Sequence, residues 1–451
     1  MGLTGIQIFK LLPKTNCGEC GVPTCLAFAM NLAAGKAELD KCPYVSEEAK
    51  EKLATESAPP IRPLTIGSGD YAVKVGGETV LFRHEKTFVN PPGLAVQVKT
   101  DEDEASVAGK IERFKMAQYD RVGLKLRAEM FAIKDTSGDS AKFNALAKTV
   151  SDQTGASMIF MSDSVDVLTA AADAFKEKKP LLYAATPESA EALGNLAKAA
   201  ACPLAVKGDG SLEGTVALTE KLSGAGVKDM VIDTGTRNLK TAFEEQIMIR
   251  RAALKDRYRP LGFPTLIMAS EMADGDLMEE AVIAATFIAK YGSVIVMSDI
   301  QPHVLFPLLL ERLNIYTDPQ RPMTAEQGIY PINNPDENSP VLVTCNFSLT
   351  YFIVSGEIES SRVPTWLCVQ DTEGLSVMTA WAAGKFSGES VGTFINKCGI
   401  KDKVKGKNLI IPGYAAGISG ELEEELGADW SITVGPREAS QIPKFLKTIK
   451  A

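Results

Sequence analysis

From Leu94 onward, apolar residues come in short, nearly unbroken runs, separated by longer stretches where apolar and polar positions alternate with helical spacing. The runs are LAVQV from Leu94, LRAEMFAIK from Leu126, ASMIFMS from Ala156, PLLYAAT from Pro180, PLAVKG from Pro203, DMVIDTG from Asp229, PTLIMAS from Pro264 and SVIVMSD from Ser293, with start-to-start spacings of 23 to 35 residues. Intervening segments such as Ser164 to Glu177 and Pro187 to Ala200 read as helices. Strands that are apolar on both faces and alternate with helices predict a parallel sheet covered on both sides. Eight such units is the number that closes a (β/α)8 TIM barrel, expected here over residues 94–315. An open doubly wound sheet is the alternative.

Beyond the eighth unit the rhythm stops. Residues 316–340 hold five prolines and end in NNPDENSP, which predicts a linker. Strand-like runs resume at VLVTCNF (Val341), TWLCVQD (Thr365), NLIIPG (Asn408) and DWSITVG (Asp429), and a final helix from Pro436 sets Ile442, Phe445, Leu446 and Ile449 on one stripe. These predict a small α/β domain of Rossmann or flavodoxin type over 341–451. At the other end, residues 1–57 predict a small domain, with Thr4 and Gln7 as a capping box and helices around Leu26–Ala34 and Ser46–Leu53. Residues 58–93 predict the rest of a proline-rich linker, SAPPIRPL, and a hairpin over Tyr71–Val89 turning at Gly76 and Gly77.

Composition narrows the function. The 451 residues are 45% hydrophobic and 23% charged, with a net charge of −9, which speaks against wholesale nucleic-acid binding. No run of 18 apolar residues is present, so no membrane span is expected. The opening MGLTGIQIFK lacks a basic head before an apolar core, so a cytoplasmic protein is expected rather than a secreted one. His84 and His303 are the only histidines, which leaves little material for histidine-pair catalysis or a His-rich metal site. Both read as structural or surface residues. Asp233, Thr234 and Arg237 fall at a strand end where barrels place chemistry, but without a histidine or acidic pair nearby no catalytic residue is assigned.

Four of the eight cysteines crowd the start, spaced Cys17-x2-Cys20-x4-Cys25-x16-Cys42 and followed by Pro43. Three thiolates in a nine-residue loop and a fourth returning from a distance can wrap one 4Fe–4S cluster, and Gly18 and Gly21 let the loop curl. Structural zinc on four cysteines is the main competing reading, and disulfides are a lesser one. Cys202, Cys345, Cys368 and Cys398 are scattered and read as small buried hydrophobes.

In an open parallel sheet, ligands bind beyond the carboxyl ends of the strands. There the last domain carries Thr344, Asn346, Ser348, Leu349 and Thr350 after its first strand, and Thr372, Gly374, Leu375, Ser376 and Val377 after its second. Gly413, Tyr414, Ala415 and Ala416 follow the third strand, and Gly435, Pro436 and Arg437 the fourth. Small residues and hydroxyls suit a large, amide-fringed, mostly neutral ligand. Neither G-x-G-x-x-G nor a phosphate-loop motif is present. Ordinary strand-to-helix turns would also carry these residues.

The motif CGECGVPTC with Cys42-Pro43, the eight-unit barrel and the TCNFSLTYF, DTEGLS and PGYAAG segments together resemble one family across essentially the whole chain. It is the large subunit of the corrinoid/iron–sulfur protein of the reductive acetyl-CoA (Wood–Ljungdahl) carbon-fixation pathway, whose archaeal counterpart is the acetyl-CoA decarbonylase/synthase gamma subunit. The resemblance implies the methyl-carrier component of a methyltransferase/acetyl-CoA synthase system, of the methyltransferase class if it is counted as an enzyme, with no catalytic residue assigned. Its corrinoid (cobamide) cobalt would accept a methyl group from methyltetrahydrofolate, or an archaeal pterin, through a methyltransferase. It would then pass the methyl to acetyl-CoA synthase/carbon monoxide dehydrogenase. The resemblance also implies a heterodimer with a small subunit, and a low-potential electron donor in an anaerobe. By this resemblance Cys17, Cys20, Cys25 and Cys42 hold the cluster and the strand-end residues named above contact the corrinoid.

No histidine follows His303, so the last domain has no imidazole to place beneath cobalt. A lower nitrogen ligand would favour Co(II) and Co(III) over Co(I). Its absence brings reduction nearer the reach of an iron–sulfur donor, whose potentials extend to about −700 mV. The cluster would then return Co(II) to Co(I). The proline-rich linkers could let the end domains move or serve as static connectors. A pterin-binding barrel methyltransferase with a structural metal domain is the alternative function, and an electron carrier with a flavin in the last domain is a third.

Overall fold

The computed structural model describes residues 5–33, 37, 39–46, 49–50, 53, 59–121, 124–318 and 323–449. The chain divides into two compact units. One comprises Met1–Leu81, Val89–Ile111 and Glu129–Ile300, the other Phe82–Phe88, Glu112–Ala128 and Gln301–Ala451. Among the described residues, no helix is long and apolar enough to cross a membrane.

The first helix, Gly5–Leu11, and the second, Cys25–Ala33, enclose a small core in which Ile8, Leu12, Phe28 and Ala29 meet Cys25, Cys42, Val45 and Leu53. Thr4 of the expected capping box lies outside the described residues, as do four of the eight residues of the helix expected over 46–53; residues 49, 50 and 53 are helical.

The expected hairpin over Tyr71–Val89 does not form. Strand β2 (Val73–Val75) instead pairs antiparallel with β1 (Leu64–Ile66), inside the segment expected to be linker. Gly76 and Gly77 do take positive φ, at 78° and 79°. The chain after them forms no strand, and side chains take up backbone groups at its two ends. Glu78 Oε1 accepts from Val89 N–H at 3.0 Å, and Asn90 Nδ2 donates to the Gly76 carbonyl at 2.8 Å.

The eight apolar runs are the eight parallel strands of a TIM-like barrel. These are β3 (Gly93–Lys99), β6 (Met130–Lys134), β7 (Ser157–Met161), β8 (Leu181–Ala185), β9 (Leu204–Lys207), β10 (Met230–Asp233), β11 (Leu266–Met268) and β12 (Val294–Met297). The run from Leu126 divides: Leu126 ends β5 (Leu124–Leu126), which pairs antiparallel with β4 (Tyr119–Arg121), and β6 starts only at Met130. The strand order is β10-β9-β8-β7-β6-β3-β12-β11. The ring all but closes where Ile232 N–H donates to the Pro264 carbonyl at 2.8 Å and Ile232 bridges Thr265.

Inward-facing Ala95, Ala132, Ile159, Leu181, Ala205, Val231 and Val294 share one core cluster with Leu64, Ile66, Val73 and Val75. The β1–β2 pair therefore plugs the end of the barrel where the strands begin. Ser157, the first residue of β7, donates to the Tyr71 carbonyl at 2.5 Å, and Gly67 N–H donates to the Lys179 carbonyl just before β8.

The C-terminal sheet runs β13-β15-β14-β16-β17, with β13 (Gly328–Ile332) antiparallel at the edge and β14 (Val341–Cys345), β15 (Thr365–Gln370), β16 (Asn408–Ile411) and β17 (Ser431–Val434) parallel. The four expected strands are all present, in flavodoxin-like order. Strand β13 falls in the segment whose prolines predict a linker. Pro331 is tolerated there because an edge strand needs hydrogen bonds on one side only. Pro319 and Pro322 lie outside the described residues. The final helix, Ile442–Ile449, buries Ile442 and Leu446 and packs Phe445 and Ile449 against the same core, as its stripe predicts.

Candidate functional site

In the C-terminal sheet the connection order reverses between β14 and β16, which is where open α/β sheets bind ligands. A cavity of about 250 Å3 lies at that point. Of the residues expected from sequence, Thr344, Thr350, Ser376, Val377, Tyr414, Gly435, Pro436 and Arg437 line it. The sequence reading missed Leu342, Val343, Val354, Met378, Ile410, Ile411, Pro412, Ala439 and Ile442. These apolar strand ends and helix starts look like ordinary core in one dimension, and only the switch-point geometry turns them toward a crevice.

The other expected residues shape the walls from behind. Asn346, buried at the end of β14, accepts at Oδ1 from Thr372 N–H (3.0 Å), Thr372 Oγ1 (3.0 Å) and Gly374 N–H (3.1 Å). Its Nδ2 donates to Asp371 Oδ1 at 2.8 Å. One amide thus fastens the whole loop after β15, in which Glu373 and Gly374 adopt positive φ of 56° and 76°. Gly413 also lies behind the wall. A Cβ there would come within 2.6 Å of the Gly435 carbonyl oxygen and 2.7 Å of Arg437 N, so the loops after β16 and β17 can meet only without a side chain. Gly413 N–H donates to the Pro436 carbonyl, and Gly435 N–H to the Ile411 carbonyl. Ser348, Leu349, Leu375, Ala415 and Ala416 do not line the cavity. Leu349 is instead 57% exposed. At the mouth, Tyr414 donates to Glu438 Oε1 at 3.1 Å, and the Arg437 guanidinium stands 5.8 Å from the Tyr414 ring centre.

The chemistry of this wall suits one face of a large neutral ligand that extends beyond the cavity. The wall is mostly aliphatic, its hydroxyls come from Thr344, Thr350 and Ser376, and the exposed Met378 and Tyr414 extend apolar surface outward. Both histidines are exposed, and neither belongs to the sheet.

In the N-terminal loop, Cys17 is exposed, Cys20 intermediate, and Cys25 and Cys42 buried. Cys20 packs against the core that contains Cys25 and Cys42. Among the described residues, no three His, Cys, Asp or Glu side chains are gathered to hold a metal ion. The structure thus brings three of the thiols to one small core without assembling a closed ligand set. The donor set nonetheless fits an iron–sulfur site. All the candidate ligands are thiols, Gly18 and Gly21 turn with positive φ of 76° and 82°, and Asn16 N–H donates to Cys25 Sγ at 3.4 Å. Asn16 Oδ1 accepts in return from Cys25 N–H at 2.8 Å, a contact the sequence reading missed.

At the carboxyl end of the barrel strands, Asp233 accepts from Tyr183 Oη (2.6 Å), from Arg237 (2.9 and 3.0 Å) and from Gly235 N–H (2.8 Å). Arg237 also pairs with Glu271, which takes Lys134 as well, and Thr234 donates to Glu245. Burial, then the charge of Asp233, pushes the Tyr183 hydroxyl well above its ordinary pKa. Burial would lower Arg237, but its hydrogen bond and charge pairing with Asp233 outweigh this and keep it protonated. These charges are spent on one another.

Residues 63–446 match the family model described as CO dehydrogenase/acetyl-CoA synthase delta subunit, and residues 12–44 match one described as a putative Fe–S cluster. The chain is 44% identical over 448 residues to the corrinoid/iron–sulfur protein large subunit of Moorella thermoacetica, covering 99% of both chains. It is 37% identical to the acetyl-CoA decarbonylase/synthase complex subunit gamma of Methanopyrus kandleri, covering 99% of this chain and 97% of that one. Dihydropteroate synthase from Thermus thermophilus superposes with a TM-score of 0.38 at 15% identity, covering 56% of this chain and all of that one, too distant to carry an argument. By sequence, then, the chain is of the CO dehydrogenase/acetyl-CoA synthase subunit class. Within that class it belongs to the family of corrinoid/iron–sulfur protein large subunits and their archaeal gamma counterparts.

Proposed function

We propose that this chain is a methyl carrier, with a corrinoid in the crevice of residues 341–451, a 4Fe–4S cluster on the loop of residues 1–57, and the barrel as a scaffold. A bound corrinoid would supply cobalt for methyl transfer from a methyltetrahydrofolate-dependent methyltransferase to acetyl-CoA synthase, and the cluster would supply an electron for the return of Co(II) to Co(I). The chain's residues hold, shield and leave open. Thr344, Thr350 and Ser376 offer hydroxyls to the amide fringe of the ligand, while Val343, Ile410, Ile411 and Met378 exclude water from one face. No residue of 341–451 is a histidine, so this segment would offer a bound corrinoid no imidazole. Cys17, Cys20, Cys25 and Cys42 are the cluster ligands, with Asn16 N–H tuning the Cys25 sulfur. The exposed apolar side chains of Leu349, Ile353 and Trp381 suit a covering partner, the small subunit of a heterodimer. The protein works in the cytoplasm of an anaerobe, with a low-potential donor.

The observation that carries this reading is the switch-point crevice: aliphatic, hydroxyl-fringed and without an imidazole. The test is an absorption spectrum with cobalt, iron and sulfide analysis of the protein isolated without oxygen together with its small subunit. Long-wavelength corrinoid bands with one cobalt, four iron and four sulfide per chain are expected. A colourless, cobalt-free preparation with one zinc and no sulfide overturns the proposal.

A further inference from the structure

The first and second helices expose apolar side chains beside the thiol loop. They meet at Gly5, where a Cβ would come within 3.2 Å of Met30 Cα. Ile6, the residue after that contact, is 61% exposed. On the second helix Leu26 and Met30 are 43% and 51% exposed, and residues four apart share a helix face. Leu26 directly follows Cys25, so this apolar surface adjoins the candidate cluster ligands. On the first helix Phe9 and Lys10 fall three and four residues after Ile6, on the same face. The Lys14 ammonium stands 5.7 Å from the centre of the Phe9 ring, which brings a second cation to that face. Lys10 and Lys14 are both exposed, and among the described residues no carboxylate pairs with either. Glu19, the one carboxylate of residues 5–33, accepts from Tyr44 Oη at 2.9 Å. Residues 5–33 are therefore locally cationic in a chain whose net charge is −9.

We propose that this face, with Ile6, Leu26 and Met30 at its centre and Lys10 and Lys14 at its rim, docks an acidic, low-potential iron–sulfur electron carrier. The proposal rests on the reading of Cys17, Cys20, Cys25 and Cys42 as cluster ligands. An apolar centre with a charged rim is the anatomy of a protein–protein contact. One this small suits the brief encounters of electron transfer, which bury less than about 1,200 Å2. Charge selects the carrier. An acidic protein is repelled by a chain of net charge −9, so two lysines beside the thiol loop steer it to that loop. One electron leaves the reduced carrier and is taken up at the site of the four thiolates. The carrier is oxidised by one electron and the site is reduced by one; no bond forms or breaks, and no proton moves.

The test uses the full-length protein isolated without oxygen together with its small subunit. Binding of an oxidised acidic ferredoxin is measured by titration calorimetry at low salt. Met30→Glu should raise Kd by about tenfold and Lys10→Glu by about fivefold. Met248→Glu is the control: it adds the same charge at a methionine 53% exposed on the barrel helix Leu239–Leu254, and should leave Kd within about twofold of wild type. Bleaching of the cluster by the reduced ferredoxin should slow in Met30→Glu and Lys10→Glu, while bleaching by titanium(III) citrate, which needs no docking face, stays at the wild-type rate. If Met30→Glu disturbs the helix crossing, Lys10→Glu, at an exposed position, still decides the matter. Variants that carry iron and sulfide but bind ferredoxin like wild type overturn the docking face and leave the cluster reading standing. A control that loses as much affinity as Met30→Glu also overturns it. Self-association that Met30→Glu abolishes, with ferredoxin binding unchanged, assigns the face to a second copy instead. A wild-type protein without iron or sulfide overturns the cluster reading and this proposal with it.

Discussion

Glu271 shows how several modest terms set one residue's state. Burial alone would push its carboxyl up, yet the hydrogen bonds and charges of Lys134 and Arg237 hold it below its ordinary 4.5. A carboxylate whose folded pKa is lowered contributes stability that is present above its unfolded pKa and lost as pH falls through the folded value. Glu271→Gln should therefore cost about 1–2 kcal/mol near neutral pH, and the gap from wild type should shrink as pH drops below about 4.5. Denaturant titrations of both proteins across that range check it; a gap that widens on acidification would contradict the sign. Asn346 is a second residue with a disproportionate role. Asn346→Ala would strip partners from Thr372 N–H, Gly374 N–H and Asp371 at once, at a cost of about 2–3 kcal/mol. A lowered thermal midpoint together with weaker corrinoid retention is expected. Loss of retention at unchanged stability would mean that Asn346 acts on the ligand directly rather than through the loop.

At the scale of elements, the barrel depends on a plug that its own strands do not supply. Gly67, at the end of β1, has φ of 84°, and a Cβ there would come within 1.7 Å of Ser157 Oγ. Gly67→Ala should destabilise the protein by about 2 kcal/mol or more, since strain and overlap act together. Gly69→Ala is the control. It has a similar φ of 69° but open space around the missing Cβ, so only the strain remains. Equal losses in the two variants, by denaturant unfolding, would show that β1–β2 does not pack into the barrel end.

At the scale of the whole molecule, the thiols of residues 1–57 and the crevice of residues 341–451 belong to different compact units. Cys20→Ala should accordingly remove iron and sulfide while cobalt stays bound, measured by metal analysis of the anaerobic protein. Concurrent loss of cobalt would mean that the two cofactor sites fold as one.

Periodicity alone determined the eight barrel strands and the four parallel strands of the C-terminal sheet, because strands buried on both faces must be apolar at nearly every position. Cysteine spacing likewise located the thiol loop, since ligands close in sequence need no long-range fold to be recognised. Tertiary structure decided what periodicity does not encode. Strand β2 pairs backward with β1, while Glu78 takes the Val89 N–H that a forward hairpin would have used. Pro331 sits in a strand because that strand is an edge. Ile410, Pro412 and Ala439 line a crevice rather than a core because the connection order reverses beside them. Such contacts join positions distant in sequence, and a one-dimensional pattern holds no record of that distance.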